Sequence, residues 1–275
     1  MKFSNRFLVK TFNSRDTVSV HMAEDFLPEG LERLKHFIAD TVAESGSKAV
    51  VLGLSGGLDS AVVSRLCVEA LGGENVLTVF MPSASTPTDD WDNTKSYSRS
   101  IGCEYRLIPI ERMVGTICSD LKADDPLSRG NITARCRMIV LYHIARAEDR
   151  LVVGTGNKSE LLMGYFTKYG DGACDMLPIG GLYKTQVYLL AGLLGVPQEI
   201  IDRKPSADLW EGQSDEEELG IRYEELDLIL SALERGRSPE EIAAIINIPM
   251  ERIMAIEQRV ESNRHKRQFP PVAEL

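Results

Sequence analysis

Residues 49–72 run from a short apolar stretch through a glycine-rich turn into a longer helical pattern that stops at Gly72. This segment constrains the fold more than any other part of the chain. A brief apolar run with no polar alternation reads as a strand buried on both faces, and such strands belong to parallel sheets covered by helices on both sides. The pattern recurs: residues 75–81, 105–110 and 151–153 read as three more short strands with helical stretches between them. The expected fold is α/β, a doubly wound and mainly parallel sheet flanked by helices, with right-handed crossovers. In such a sheet, ligands sit beyond the carboxyl ends of the strands.

Leu31, Leu34, Ile38 and Val42 pattern a helix ahead of the first strand, and Thr86-Pro87 predicts the start of another. Residues 132–147 are apolar around most of a helical circumference. A helix like that is buried on several sides, either inside the monomer or, the reading preferred here, at a subunit interface. The chain turns helical again over about 220–265, where Ser238 to Glu241 spells a capping box with proline at the first helical position. The spacing there superficially matches a DNA-binding helix-turn-helix but lacks a basic face, so a packed helical hairpin is expected. Residues 1–27 show no periodicity and read as an N-terminal arm. That leaves 28–275 as one domain with a helical C-terminal part.

The formal net charge of −10 argues against nucleic acid as a partner. The five cysteines form no CxxC pair and no zinc spacing, so free thiols in a reducing cytoplasm are expected. No apolar run approaches membrane-spanning length, and the N-terminus lacks the apolar core of a signal peptide.

Chemistry concentrates after the first strand. Gly53, Leu54, Ser55, Gly56, Gly57, Leu58, Asp59 and Ser60 form the turn and open a helix expected to begin near Ala61. Backbone N–H groups there, with the positive end of the helix dipole, make an anion site, to which Ser55 and Ser60 add hydroxyls. Asp59 does not belong beside phosphate unless it holds a metal ion that holds phosphate in turn. The turn has no Walker lysine and is not GxGxxG. After the fourth strand, residues 151–160 (LVVGTGNKSE) repeat strand, loop and helix start. Thr155 is placed to touch the same ligand, and Glu160 is either a second metal carboxylate or a favourable charge on an opening helical turn. Lys184 also opens a helix, where a cation opposes the dipole, so a bound phosphate is the better explanation of it.

SGGxDS resembles the pyrophosphate-binding loop of the N-type ATP pyrophosphatases, which cleave ATP between its α and β phosphates. The blocks GLSGGLDS, ITARCRMIVLY, LVVGTGNKSE, GYFTKYGDGACDMLPIGGLYKTQV and KPSADLWEGQSDEEELGIRYEELD resemble, in order, those of the NAD synthetase family over roughly residues 30–268. The resemblance implies a homodimer that amidates deamido-NAD (nicotinate adenine dinucleotide) with ATP as co-substrate and Mg²⁺ as cofactor. It places ATP on residues 53–60, Thr155, Lys184 and Ser206, the last standing where the family often has threonine. Mg²⁺ falls to Asp59 and Glu160, and deamido-NAD to Arg135, Lys168, Asp175, His265 and Lys266. A solvated basic tail is the competing reading of His265 and Lys266.

The chemistry expected is formation of an acyl-adenylate with loss of pyrophosphate, then attack by ammonia with loss of AMP. Asp59, Lys184 and Asp175 are the candidate catalytic groups, with Asp175 taking up a proton from ammonia. No amidase cysteine is recognisable, so free ammonia is the expected donor, with a separate glutaminase subunit as the alternative source. Asp59→Asn is expected to abolish turnover with little loss of fold. The alternatives are another N-type adenylating enzyme with a different acceptor, or a nucleotide-binding regulator.

Overall fold

The computed structural model describes residues 28–210 and 212–273, so the expected arm at 1–27 lies outside the described residues. Helix α1 (Pro28–Ser45) leads into β1 (Ala49–Gly53), α2 (Leu58–Leu71) and β2 (Val76–Phe80). Next come α3 (Asp90–Ile101), β3 (Glu104–Leu107), α4 (Glu111–Leu121), α5 (Pro126–Glu148) and β4 (Arg150–Val152). The four strands are those the apolar runs indicate, within a residue or two at most ends. They pair only in parallel, in the order β3-β2-β1-β4.

Alternation along β1 divides the core. Val50 and Leu52 pack with α1, α2 and Val187, Leu190 and Ala191 of a later helix, whereas Val51 faces Val114, Cys136 and Val140 of α4 and α5. β2 is buried along its length and β3 forms a partly exposed edge. The chain therefore winds outward from β1 through β2 to β3, then returns to place β4 on the other side of β1. The loops after β1 and β4 leave in opposite directions, and the gap between them is the switch point at which such sheets bind ligands.

Two sequence expectations shift. The helix after the turn starts at Leu58 rather than Ala61, so Asp59 and Ser60 belong to its first turn. The helix expected at Thr86-Pro87 begins at Asp90, because residues 83–89 close successive turns (Thr86 N to Ser83 O, 3.1 Å; Asp90 N to Pro87 O, 3.2 Å) before the helix takes over. Helix α5 includes the apolar 132–147 segment and leaves Leu127 and Ile139 exposed.

The second half continues with α6 (Lys158–Met163), α7 (Lys184–Leu193), α8 (Gln198–Ile201), α9 (Asp215–Leu219) and α10 (Tyr223–Glu234), then the hairpin α11 (Pro239–Ile246) and α12 (Met250–Ser262). A third apolar cluster joins Leu226, Ile229, Ile242, Ile253 and Ile256 of the C-terminal helices to Met163 of α6 and Tyr183 at the start of α7. The C-terminal part is thus packed directly against the two helices that enter the cleft. Among the described residues no helix is long and apolar enough to cross a membrane.

Candidate active site

The turn after β1 is braced from within. Ser60 Oγ donates to Gly57 O at 3.0 Å and accepts from Ser55 N at 3.2 Å, while Gly57 N donates to Ser55 Oγ at 3.2 Å. The hydroxyl of Ser60, read from sequence as a ligand donor, also holds the turn. Gly56 takes φ +90°, and a Cβ there would stand 2.9 Å from Asp90 Oδ1. Only glycine makes this turn without strain. Gly57 caps α2 with no side chain over the helix end, so the first N–H groups of α2 stay available to an anion.

The loop after β4 approaches as closely. A Cβ on Gly154 would meet Cys174 Sγ at 2.6 Å. Asn157 opens α6 through a capping box: its Oδ1 accepts from Glu160 N at 3.1 Å, and Glu160 Oε2 accepts from Asn157 N at 3.1 Å. The remaining donor of Asn157, Nδ2, reaches Asp59 Oδ1 at 3.0 Å. One wholly buried amide therefore ties the first turn of α2 to the first turn of α6.

Lys184 completes the constellation from α7. Its side chain is 4% exposed, and its ammonium donates to Asp59 Oδ2 with Glu160 Oε1 at 3.8 Å. Burial alone disfavours the ammonium, but the two carboxylates outweigh it and hold the pKa above the ordinary lysine value. Glu160 is also raised, which for a carboxylate disfavours the charge: burial first, and Asp59 beside it second, push it well above its usual range. Asp215, 4% exposed, also borders the group; burial raises its pKa, its Oδ2 accepts from Tyr223 OH at 3.2 Å, and its Oδ1 has no hydrogen-bond partner.

This is the electrostatics of a site short of positive charge. Two carboxylates share one lysine, and a third buried carboxylate oxygen is orphaned beside them. Among the described residues no set of three carboxylate, histidine or cysteine side chains suffices to cage a metal. The carboxylates of Asp59 and Glu160, with the orphaned Asp215 oxygen beside them, fit a cation such as Mg²⁺, which is usually held by one or two carboxylates with phosphate and water completing the shell.

These groups line a cleft of about 560 Å³, within the range of nucleotide and cofactor sites. Of the residues expected at the site, Gly53, Leu54, Ser55, Gly57, Leu58, Asp59, Ser60, Thr155, Glu160, Lys184, Ser206 and Lys266 line it. Gly56 lies in its turn. Arg135, Lys168, Asp175 and His265 do not line the cleft. Arg135 Nη2 donates to Lys168 O at 3.3 Å and Lys168 Nζ to His265 O at 2.8 Å, which makes a chain of contacts on the outer surface. The exposed Asp175 accepts from Val152 N at 2.7 Å and Tyr142 OH at 3.3 Å, which fixes the end of β4. Lys266 is no free tail, since its ammonium donates to Gly164 O at 2.7 Å and Phe166 O at 3.1 Å.

A model for NAD synthase matches residues 30–270. The chain belongs to the NAD synthase family. It is 48% identical to the NH₃-dependent NAD⁺ synthetase of Archaeoglobus fulgidus over 89% of its own length and 96% of that protein's. Among solved structures it resembles an NH₃-dependent NAD synthetase from Campylobacter jejuni (33% identity, TM-score 0.76, covering 89% and 97% of the two chains). It also resembles an NMN synthetase from Francisella tularensis (32% identity, TM-score 0.81, covering 91% and 100%). The order of blocks that prompted the family resemblance is thus matched along nearly the whole chain. Within that NAD synthase frame, sequence reasoning missed Asn157, Asp215, Asp90 and Arg203. Asn157 and Asp215 lie inside blocks the sequence singles out, yet nothing local marks them, and Asp90 and Arg203 lie outside those blocks; Asn157 and the pair Asp90–Arg203 act through contacts only the fold creates.

Proposed function

We propose that this chain performs the reaction for which its family is named, ATP-dependent amidation of deamido-NAD by ammonia to give NAD, AMP and pyrophosphate. The observation that carries the reading is the ammonium of Lys184 held between Asp59 and Glu160, at the mouth of the SGGLDS turn and over the switch point of the sheet.

Hydroxide is a poor leaving group, so a carboxylate must be activated before ammonia can displace it. An oxygen of the nicotinate carboxylate attacks the α-phosphorus of ATP, and the bond to pyrophosphate breaks. Ammonia then adds to the acyl carbon and the bond to AMP breaks, with one proton lost from nitrogen. The chain supplies positioning and charge rather than a covalent nucleophile. The turn at residues 53–60 and the open N–H groups of α2 grip the phosphates, while Thr155 and Ser206 border the nucleotide. Lys184 is placed to neutralise charge developing on the departing pyrophosphate. Asp59 and Glu160 would hold Mg²⁺, which supplies further neutralisation of that leaving group.

The same reading sets the dinucleotide across the surface outside the cleft, where Arg135, Lys168, Asp175 and His265 lie, with Lys266 at its edge. Asp175 is the group we assign to the proton from ammonia. Arg135 shares α5 with the exposed Leu127 and Ile139. We place a second copy of the chain against that helix, making a homodimer, with residues 28–275 acting as one catalytic unit. The free cysteines support a cytoplasmic setting.

One incubation tests the reaction: deamido-NAD, ATP, Mg²⁺ and ammonium should yield NAD and AMP in equal amounts. ADP in place of AMP, or no NAD, would end the assignment. Because one structural neighbour is an NMN synthetase, nicotinate mononucleotide belongs in a parallel tube, with the dinucleotide expected to turn over at the higher kcat/KM. Light scattering reports the dimer independently.

A further inference from the structure

Helix α10 approaches the site from behind, and of two residues one turn apart on it, one reaches Lys184 and the other holds the residues around its backbone. Tyr223 sets its ring 5.4 Å from the ammonium of Lys184. Asp227, with no exposed surface, works at the other end of that residue. Its Oδ1 accepts from Ser159 Oγ at 2.5 Å and its Oδ2 from Thr185 N at 2.9 Å. Ser159 Oγ in turn accepts from Lys184 N at 2.9 Å. The contacts close a ring: one carboxylate spans the first turns of α6 and α7, and the serine it holds carries the backbone of Lys184.

The residues beside these contacts explain why the ring matters. Glu160 follows Ser159 directly, and Lys184 precedes Thr185. The carboxylate that borders the cation site and the lysine that bridges it thus hang from two short helices. The described hydrogen bonds join the starts of those helices in two ways: Lys158 N to Leu182 O at 2.7 Å, and the ring through Asp227. A buried carboxylate accepting from a hydroxyl and a backbone N–H makes strong, directional bonds. Among the described residues no ammonium or guanidinium forms a salt bridge with it, and the cation that acts on it is Lys184. A charge kept inside the protein on such terms is a structural liability unless something depends on its position.

We propose that Asp227 is a positioning residue of the active site, one that touches no substrate and sets the separation of the starts of α6 and α7. Through that separation it places the Lys184 ammonium between Asp59 and Glu160. The inference rests on the functional reading above, in which Lys184 serves the departing pyrophosphate. Misplacement of a catalytic group by about one ångström can lower turnover about 100-fold without any lost contact to substrate.

The test compares Asp227→Asn, Ser159→Ala and the double variant with the parent enzyme. Asp227→Asn keeps size and shape and removes the buried charge. It should lower kcat about 100-fold, leave KM for deamido-NAD within threefold, and bind ATP with Mg²⁺ at the parent's calorimetric stoichiometry. Ser159→Ala should lower kcat about tenfold, and the double variant should be no worse than Asp227→Asn, because both changes open the same ring. If kcat of Asp227→Asn stays within twofold of the parent, the inference is wrong. It is equally wrong if binding stoichiometry falls in step with kcat, which would mark a residue needed only for folding, or if the two changes add. Should Asp227→Asn not fold, Ser159→Ala decides alone: a tenfold loss at full stoichiometry upholds the inference and an unchanged kcat overturns it. A parent that makes no NAD would remove the functional reading and this inference together, whereas an active parent with an unaffected Asp227→Asn variant would remove this inference alone.

Discussion

Asn157 donates to Asp59 across the switch point at 3.0 Å, joining two loops that the topology sends in opposite directions. The same side chain caps α6 and so fixes Glu160. Both candidate metal carboxylates therefore depend on one amide.

Asn157→Ala should consequently show two losses. Removing the cap costs about 1 kcal/mol of stability. Loss of the tether to Asp59 should raise the Mg²⁺ concentration giving half-maximal activity by about tenfold, on the scale of supporting-shell changes at metal sites. Denaturant unfolding reads the first and a magnesium titration of initial rates the second. A variant that loses stability with an unaltered magnesium curve would show that the amide serves the helix only.

Asp59→Asn should abolish measurable turnover, and the structure revises what sequence suggested about its stability. The carboxylate pairs with a lysine whose side chain is 4% exposed, so the variant leaves a buried ammonium short of its nearest partner. Removing one member of a buried pair costs roughly 3–5 kcal/mol when nothing replaces it. Glu160, at 3.8 Å, remains, so the loss should fall below that range while staying measurable. A variant as stable as the parent in urea would mean that Lys184 finds another partner.

How far the sequence alone reaches follows from these residues. The four strands were legible because buried parallel strands are short, apolar and punctuated by glycine. That Asp59, Thr155, Glu160 and Lys184 line one cleft was legible because each sits in a contiguous strand-to-helix or loop-to-helix junction at the end of a strand or the start of a helix. Asp227 was not, since its partner Ser159 lies 68 positions away, and Asp90 was not, since Arg203 lies 113 positions away. A lone aspartate on a helix has no local signature that separates a buried clamp from a solvated charge. The start of α3 was misplaced for a related reason. Pro87 is compatible with a helix start, but the turns at 83–89 are set by hydrogen bonds that proline statistics do not see.

The pH dependence of stability should carry the mark of Asp227. Burial raises its pKa from the ordinary 3.8 to about 6, with Ser159, Thr185 and Lys184 pulling weakly the other way. Between those values the native state holds a proton that the unfolded state has lost. The contribution is therefore fully present below about pH 4 and disappears as pH rises through 6. A shift of about two units corresponds to roughly 3 kcal/mol. Asp227→Asn has no such proton, so the parent's stability relative to this variant should decline by an amount of that order between pH 4 and pH 7. Urea unfolding of both proteins at several pH values tests this. Parallel pH curves for the two proteins would refute it.

Arg203 offers the last test, because from the wall of the cleft it fastens the turn proposed to grip phosphate. Its guanidinium meets both oxygens of the buried Asp90, with Nη2 to Oδ2 at 3.0 Å, and also Asp208 Oδ2 at 2.8 Å and Gly56 O at 3.4 Å. The planar fork serves all of these at once, which a lysine ammonium cannot do. Arg203→Lys keeps the charge and loses the geometry, so Gly56 and the 203–208 segment should lose their common anchor. The turn is then held less firmly in the shape that receives ATP. KM for ATP should rise about tenfold, on the scale of losing charge-assisted hydrogen bonds worth 1.5–3 kcal/mol. KM for deamido-NAD should move little, since the residues assigned to it lie mostly outside the cleft. Gly56→Ala should act on the same parameter for a separate reason, the strain of φ +90° and the clash with Asp90. If Arg203→Lys raised both KM values equally, Arg203 would be holding the whole cleft rather than the turn.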